Sequence, residues 1–284
     1  MRRKLTLLCI VILIPFSIWS QSPYRENDIS YGGIESTKTY FLHGNKDFPS
    51  CNLKINFFFP EIYTNTDVLK KVQNLFVASF FGEEYASFPL KKAVIKYEDE
   101  YVKEYRDLYE KSGVFKDELK TALRHGEKLE DIQSFYFYEK MMRNTILLNR
   151  GNVISMVTNV YEYTGGAHGA SSTTGIVIDL TNGEQIHYED VFSENQKSEI
   201  SDLILRHLKY SRNAVDFDEL RELGFDFDFI EPTPNFVVVD KGIVFIYGQY
   251  ELGSYSVGIV EVLVPFEEIM PYINPDSPIY RFSF

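Results

Sequence analysis

An α+β fold is predicted for this chain: two consecutive α/β units, the second a mainly antiparallel sheet with one principal helix. Three observations carry that expectation. Runs with the period-two alternation of β-strands occur in both halves of the chain. Turn signals join them, Asn182-Gly183 and Asp240-Lys241-Gly242 being the clearest. Amphipathic helical stretches are concentrated between residues 66 and 126 and after Ser193.

In chain order, Met1-Arg-Arg-Lys, an apolar run from Leu5 to Ile14 and a polar exit ending at Ser20 read as a signal peptide over residues 1–20. The run is about half the roughly 20 residues a membrane span needs, so a removed segment is expected, with no stable span after cleavage. Cys9 lies inside the apolar run after Thr-Leu-Leu, which does not suit a lipoprotein site, and Cys51 is then the one cysteine expected in the mature chain. Residues 21–35 read as a flexible leader. In the first unit, 36–150, strands are expected at Thr37 to Leu42 and at Leu53 to Phe59, ended by Pro60. A helix capped by Thr66 should stop at Gly82. Charge-dense helix follows from Ala93 to Gly126 with a break at Ser112-Gly113, then a strand from Phe135 to Leu148.

The second unit, 151–284, begins with a strand from Val153 to Thr164. Strands are expected from Thr173 to Leu180 and from Glu184 to Tyr188, around a type I′ turn at Asn182-Gly183. Ser193-x-x-Gln196 is a capping box opening a helix with Ile200, Leu203, Ile204 and Leu208 on one face. Asp216 to Gly224 reads as a short helix, Phe236 to Val239 and Ile243 to Tyr247 as a hairpin, Ser254 to Val264 as the last long strand, and Pro265 to Ile269 as a terminal helical turn. The boundary falls near Arg150, where adjacent strands can weld the two units into one body.

The net charge is −12, and it becomes −15 once Arg2, Arg3 and Lys4 are removed with the signal segment. Such a chain has no nucleic acid for a partner and favours a cationic one at long range. Twenty tyrosines and 23 phenylalanines make an aromatic-rich protein with a single tryptophan. The five histidines are scattered and no metalloprotease helix, paired cysteine motif, nucleophile elbow or phosphate loop is present. No metal and no cofactor is expected.

The most specific stretch is Tyr161-Glu-Tyr-Thr-Gly-Gly-Ala-His-Gly-Ala170. Gly165, Gly166 and Gly169 permit positive φ or the close approach of another group. Tyr161 and Tyr163 share one face of a strand, and His168 is the titratable side chain among the glycines. With Tyr250, Glu251 and Tyr255 these residues form the candidate ligand site, a flat aromatic surface beside a glycine loop suited to a sugar face or a protein loop. The simpler reading of the tyrosines is cross-strand packing, and of His168 a hydrogen bond to loop backbone that fixes the turn. As a general base, His168 would need Glu162 or Asp190 to orient it.

Tyr-x-Tyr-Thr-Gly-Gly-Ala-His-Gly, followed by Asn-Gly-Glu-Gln-Ile-x-x-Glu-Asp-Val-Phe192, resembles the extracytoplasmic domain shared by the lysozyme-sensing anti-sigma factor RsiV and the peptidoglycan deacetylase PdaC. The similarity runs on through Phe236 to Phe245 and Tyr250 to Gly258, closing at Val264 to Ile269. Thr37 to Leu148 is similar, more weakly, to the companion domain that precedes it in that family. The cytoplasmic segment of the anti-sigma factor and the catalytic domain of the deacetylase have no counterpart here, which leaves the ligand-facing part. The resemblance implies recognition of peptidoglycan fragments or of a lysozyme-like cationic protein. A secreted or periplasmic, non-enzymatic binding module is therefore expected, against two alternatives: a wall-directed hydrolase or deacetylase-like enzyme using the glycine loop, and a structural envelope protein.

Overall fold

The computed structural model describes residues 26–282, so the expected signal segment, with Cys9 and Ser20, lies outside the described residues. The architecture is α+β, with a six-stranded mixed sheet and a three-stranded antiparallel sheet. The large sheet has the order β1 (Ile29–Phe41), β2 (Ser50–Tyr63), β3 (Tyr138–Arg150), β4 (Val153–Tyr163), β5 (Ala170–Asp179) and β6 (Glu184–Gln185). Every neighbouring pair is antiparallel except β2 and β3, which run parallel. A parallel pair needs a crossover. Here α1 (Thr66–Phe81), α2 (Leu90–Arg106), α3 (Val114–Arg124) and the short α4 (Leu129–Ile132) supply it.

Alternation on β2 puts Leu53, Ile55, Phe57 and Phe59 on one face, where they meet Val72, Phe76 and Phe80 of α1 in the first core. Cys51 is fully buried in the same layer, and burial pushes its thiol up to about 11. The second core lies between α6 (Lys197–Arg212), which presents Ile200, Leu203, Ile204 and Leu208, and the small sheet of β7 (Phe236–Val239), β8 (Gly242–Tyr247) and β9 (Val260–Pro265). The short helices α5 (Tyr188–Val191), α7 (Phe217–Glu222) and α8 (Phe266–Ile269) close its edges.

The two sheets stack on each other. The small one covers part of the face of the large sheet that α1 and α2 leave open, β7 lying across β3, β4 and β5. The contact is close because Gly175 on β5 has no side chain: a Cβ there would lie 2.5 Å from Val237 Cγ1 and 2.7 Å from the Phe236 carbonyl. Polar bonds fix the same seam. The Gly175 N–H donates to Asn235 Oδ1 (2.7 Å), Asn235 Nδ2 donates to the Thr173 carbonyl (2.9 Å), and the Val238 N–H donates to Ser155 Oγ (2.9 Å). Val157, Val237 and Ile246 make a small apolar cluster beside them.

Several expected elements are corrected. Strand β1 begins at Ile29, so the end of the supposed flexible leader is paired with β2. Strand β2 runs past Pro60 to Tyr63, because Pro60 sits at a register shift opposite Ser30 and Tyr31 and beyond the last β3 partner, Asn56. There the Asn144 side chain substitutes for the diverging ladder, donating to the Phe58 carbonyl and accepting from its N–H, both at 2.8 Å. The first helix is capped by Asn65, whose side chain accepts from the Val68 N–H, and not by Thr66. Residues 133–136 form a 3₁₀ turn, so β3 starts at Tyr138 rather than Phe135. The run expected to be a strand to Tyr188 pairs only at Glu184–Gln185 before α5 begins. The turn before it is not type I′: Gly183 has φ 75 but Asn182 does not take positive φ. The last strand begins at Val260, since Ser254 to Gly258 form turns. Arg150 falls at the tight β3–β4 turn inside the large sheet, so the sheet is continuous across the expected boundary. Among the described residues, no helix is long and apolar enough to cross a membrane.

Two outcomes are expected. Gly175→Val should lower unfolding free energy by about 1–3 kcal/mol in urea titration, as overpacking of a close contact does. Cys51, shielded and with its thiol raised to about 11, should resist a thiol-labelling reagent at pH 8 in the folded protein and react fully in urea, because the thiolate is the reacting species.

Candidate functional site

The glycine loop is built by backbone geometry. Gly165 (φ 88) and Gly166 (φ 94) occupy the left-handed region. Gly165 also lies under the Phe135 carbonyl, where a Cβ would collide, whereas Gly166 faces open space. Gly169 is needed for approach: a Cβ there would stand 2.7 Å from both the Glu162 carbonyl and the Tyr161 ring. The Tyr163 hydroxyl donates to the carbonyls of Gly166 (2.8 Å) and Ser134 (3.2 Å) and ties the loop to the segment before β3.

A second loop, residues 248–258, lies against the first. Its Tyr255 hydroxyl donates to the Gly169 carbonyl (2.9 Å), and Gln249 Oε1 accepts from the Ser171 N–H (3.1 Å). His168 packs on Tyr255 with ring centroids 4.1 Å apart, and the Tyr250 ring lies 5.9 Å from that of Tyr255. Tyr250 is a non-glycine residue at φ 71 with 59% of its surface exposed. Glu251 turns back toward its own loop beside Gly248.

The structure thus brings His168, Tyr250 and Tyr255 into one exposed row of rings. It also corrects the expected roles. His168 makes no hydrogen bond to loop backbone; Tyr163 and Tyr255 hold the loop instead. Neither proposed orienting acid is available to it. Glu162 points to the opposite face of β4 and pairs with Lys140 at 3.2 Å, and Asp190 accepts from the His187 N–H at the start of α5. Among the described residues, no group of three His, Cys, Asp or Glu side chains could hold a metal ion.

A concavity lies next to this loop. Where the small sheet ends, the open face of the large sheet becomes the floor of a cleft of about 710 Å³. Strand register places its side chains in rows. Glu35, Asn56, Arg143, Asn159 and Thr173 are consecutive partners across β1 to β5. Thr37, Lys54, Met141, Tyr161 and Ser171 form the row beside them. Asn159 Oδ1 accepts from the Thr173 hydroxyl at 2.9 Å, and Ile259 forms an apolar wall. Of the residues expected from the sequence, Tyr161 alone lines this cleft, and Gly169 gives its ring room to lie at the end of it. A smaller hollow of about 250 Å³ on the helix side is lined by tyrosines and receives Lys140, whose Nζ lies 5.7 Å from the Tyr97 ring centroid.

The floor residues escape a single-sequence reading because each looks like the solvent face of an alternating strand. Register alone turns five such positions into a row. The signal that was present is on β4, which is buried on both faces from Val153 to Thr158 and half-exposed from Asn159 onward.

Residues 189–267 match the family model described as a protein of unknown function (DUF3298). A solved member of the same family from Bacteroides fragilis shares 30% identity, with a TM-score of 0.77, over 91% of this chain and 98% of that one. A further DUF3298 protein from Pseudomonas aeruginosa has the same fold at 14% identity and a TM-score of 0.61, over 88% of this chain and 97% of that one. No curated protein matches.

If the loop glycines serve geometry, Gly165→Ala should cost about 1–3 kcal/mol through positive φ and collision. His168→Ala, removing one exposed ring contact, should cost about 0.5–1 kcal/mol. Urea unfolding of the two variants side by side checks the order.

Proposed function

The chain belongs to the DUF3298 family, whose function is unknown, and from that premise we propose that it is an exported, non-enzymatic binding protein that seats cell-wall glycan in the cleft on the open sheet face. The observation that carries this reading is the floor itself. Asn56, Asn159, Ser171 and Thr173 line the floor in strand register at roughly 5 Å spacing, Thr173 being buried with its hydroxyl held by Asn159, and the Tyr161 ring and Met141 stand beside them. Polar groups in register with a ring are suited to a saccharide, which presents hydroxyl edges and a C–H face.

The same lining speaks against turnover. Glu35 is the one carboxylate among the lining residues, and there is no histidine or cysteine. Glycoside hydrolysis by the common route needs a pair of carboxyl groups flanking the bond. The signal-like segment, the resemblance to wall-sensing and wall-modifying proteins, and the acidic charge support an envelope location.

A second reading rests on that charge of −12. A cationic wall-degrading protein of lysozyme type would be attracted to the surface, and its binding should weaken steeply as salt rises to 0.15 M, where screening acts over about 8 Å.

Calorimetric titration of the protein with soluble peptidoglycan fragments, followed by chromatography of the fragments, tests the proposal. Binding without product is expected, weakened about five- to tenfold by Asn159→Ala or Tyr161→Ala, as for loss of one hydrogen bond or one stacked ring. Product formation, or affinity unchanged by both substitutions, would contradict it. Salt-sensitive capture of lysozyme that ignores both substitutions would favour the second reading.

A further inference from the structure

The cleft holds one feature that a neutral saccharide would not require. Arg143 stands in the middle of the polar row, exposed, with Asn56 on one side and Asn159 on the other. Its diagonal neighbours on the adjoining strands are Lys54, Phe58, Val157 and Tyr161, none of them acidic. The acid of its own row, Glu35, is two strands away, about 10 Å at ordinary strand spacing. Lys54, the other cation of the floor, is paired with Glu139 at 3.4 Å. Arg143 has neither an ion pair nor a side-chain hydrogen bond with any described residue, although acids outnumber bases by 41 to 29 in the chain.

A guanidinium presents a planar fork of donors that matches the two oxygens of a carboxylate. Placed between two amide side chains, it is flanked by groups that bond the neighbouring hydroxyl or acetamido functions of a sugar. We propose that Arg143 is a specificity-determining residue, holding the carboxylate of an acidic amino sugar whose ring lies along Asn159 and Tyr161. The inference rests on the saccharide reading above and adds the ligand's charge to it. Uncharged glycans would then occupy the cleft without their strongest anchor, and added salt would weaken acidic ligands selectively.

The test compares N-acetylmuramic acid, which carries a carboxylate, with N-acetylglucosamine, which does not, by NMR titration against wild type, Arg143→Gln and Arg143→Lys. Wild type is expected to bind the acidic sugar about tenfold or more tightly than the neutral one. Arg143→Gln should erase that preference, bringing the acidic sugar's affinity to that of the neutral one, with the melting temperature unchanged. Arg143→Lys, which keeps the charge but not the fork, should fall between. Equal affinity for the two sugars in wild type, or a preference that survives Arg143→Gln, would overturn the role of Arg143 and leave the saccharide reading standing. Binding of neither sugar would overturn both.

Discussion

The close contact of the small sheet with the large one at Gly175 is the constraint on which the rest depends. A three-stranded sheet can bury one face against α6, but its other face needs a partner. It finds one on the face of the large sheet that the helices do not cover. Because Gly175 lacks a Cβ, the backbone at Phe236 and Val237 approaches it directly, and Asn235 links the two sheets by bonds to the main chain of both Thr173 and Gly175. The seam is therefore narrow and polar at its edge, and it stops abruptly at Asn159 and Thr173.

That abrupt edge creates the cleft. Beyond it the strands of the large sheet keep their hydrogen bonding while their outward side chains have nothing packed on them. The row from Glu35 to Asn159 is polar where the small sheet no longer covers it, Thr173 at its end being buried at the seam, while the opposite sheet face carries the apolar core under α1 and α2. The glycine loop and the loop at 248–258 lie beside one end, which Tyr161 and Ile259 line. Their aromatic contacts, His168 on Tyr255 and Tyr250 near Tyr255, hold the two loops together outside the cleft.

Much of the framework was legible from residue patterns. The α+β class, the helix with Ile200, Leu203, Ile204 and Leu208 on its buried face, the capping box at Ser193 and the stop at Gly82 all rest on local rules that the tertiary structure does not override. Pro60 misled because its strand bulges there, and Ser254 to Gly258 because alternating polar and apolar residues in a turn imitate a strand. The candidate site was legible at its rim and not at its floor. Clustered glycines advertise special backbone geometry, so the loop was visible, but geometry and ligand contact are different demands. Arg143 and Asn159 became neighbours only through the pairing of β3 with β4, and Asn56 only through a parallel crossover that spans four helices. No local pattern encodes that.

The central claim is that ligand binds on the uncovered sheet face and not on the exposed rings of the loops. A crystal structure of the protein with a soluble wall-glycan fragment tests it most directly. The account predicts a sugar ring beside Tyr161, with hydrogen bonds to Asn159 and Ser171 and any carboxylate on Arg143. A fragment bound instead across His168, Tyr250 and Tyr255, with the cleft empty, would contradict it.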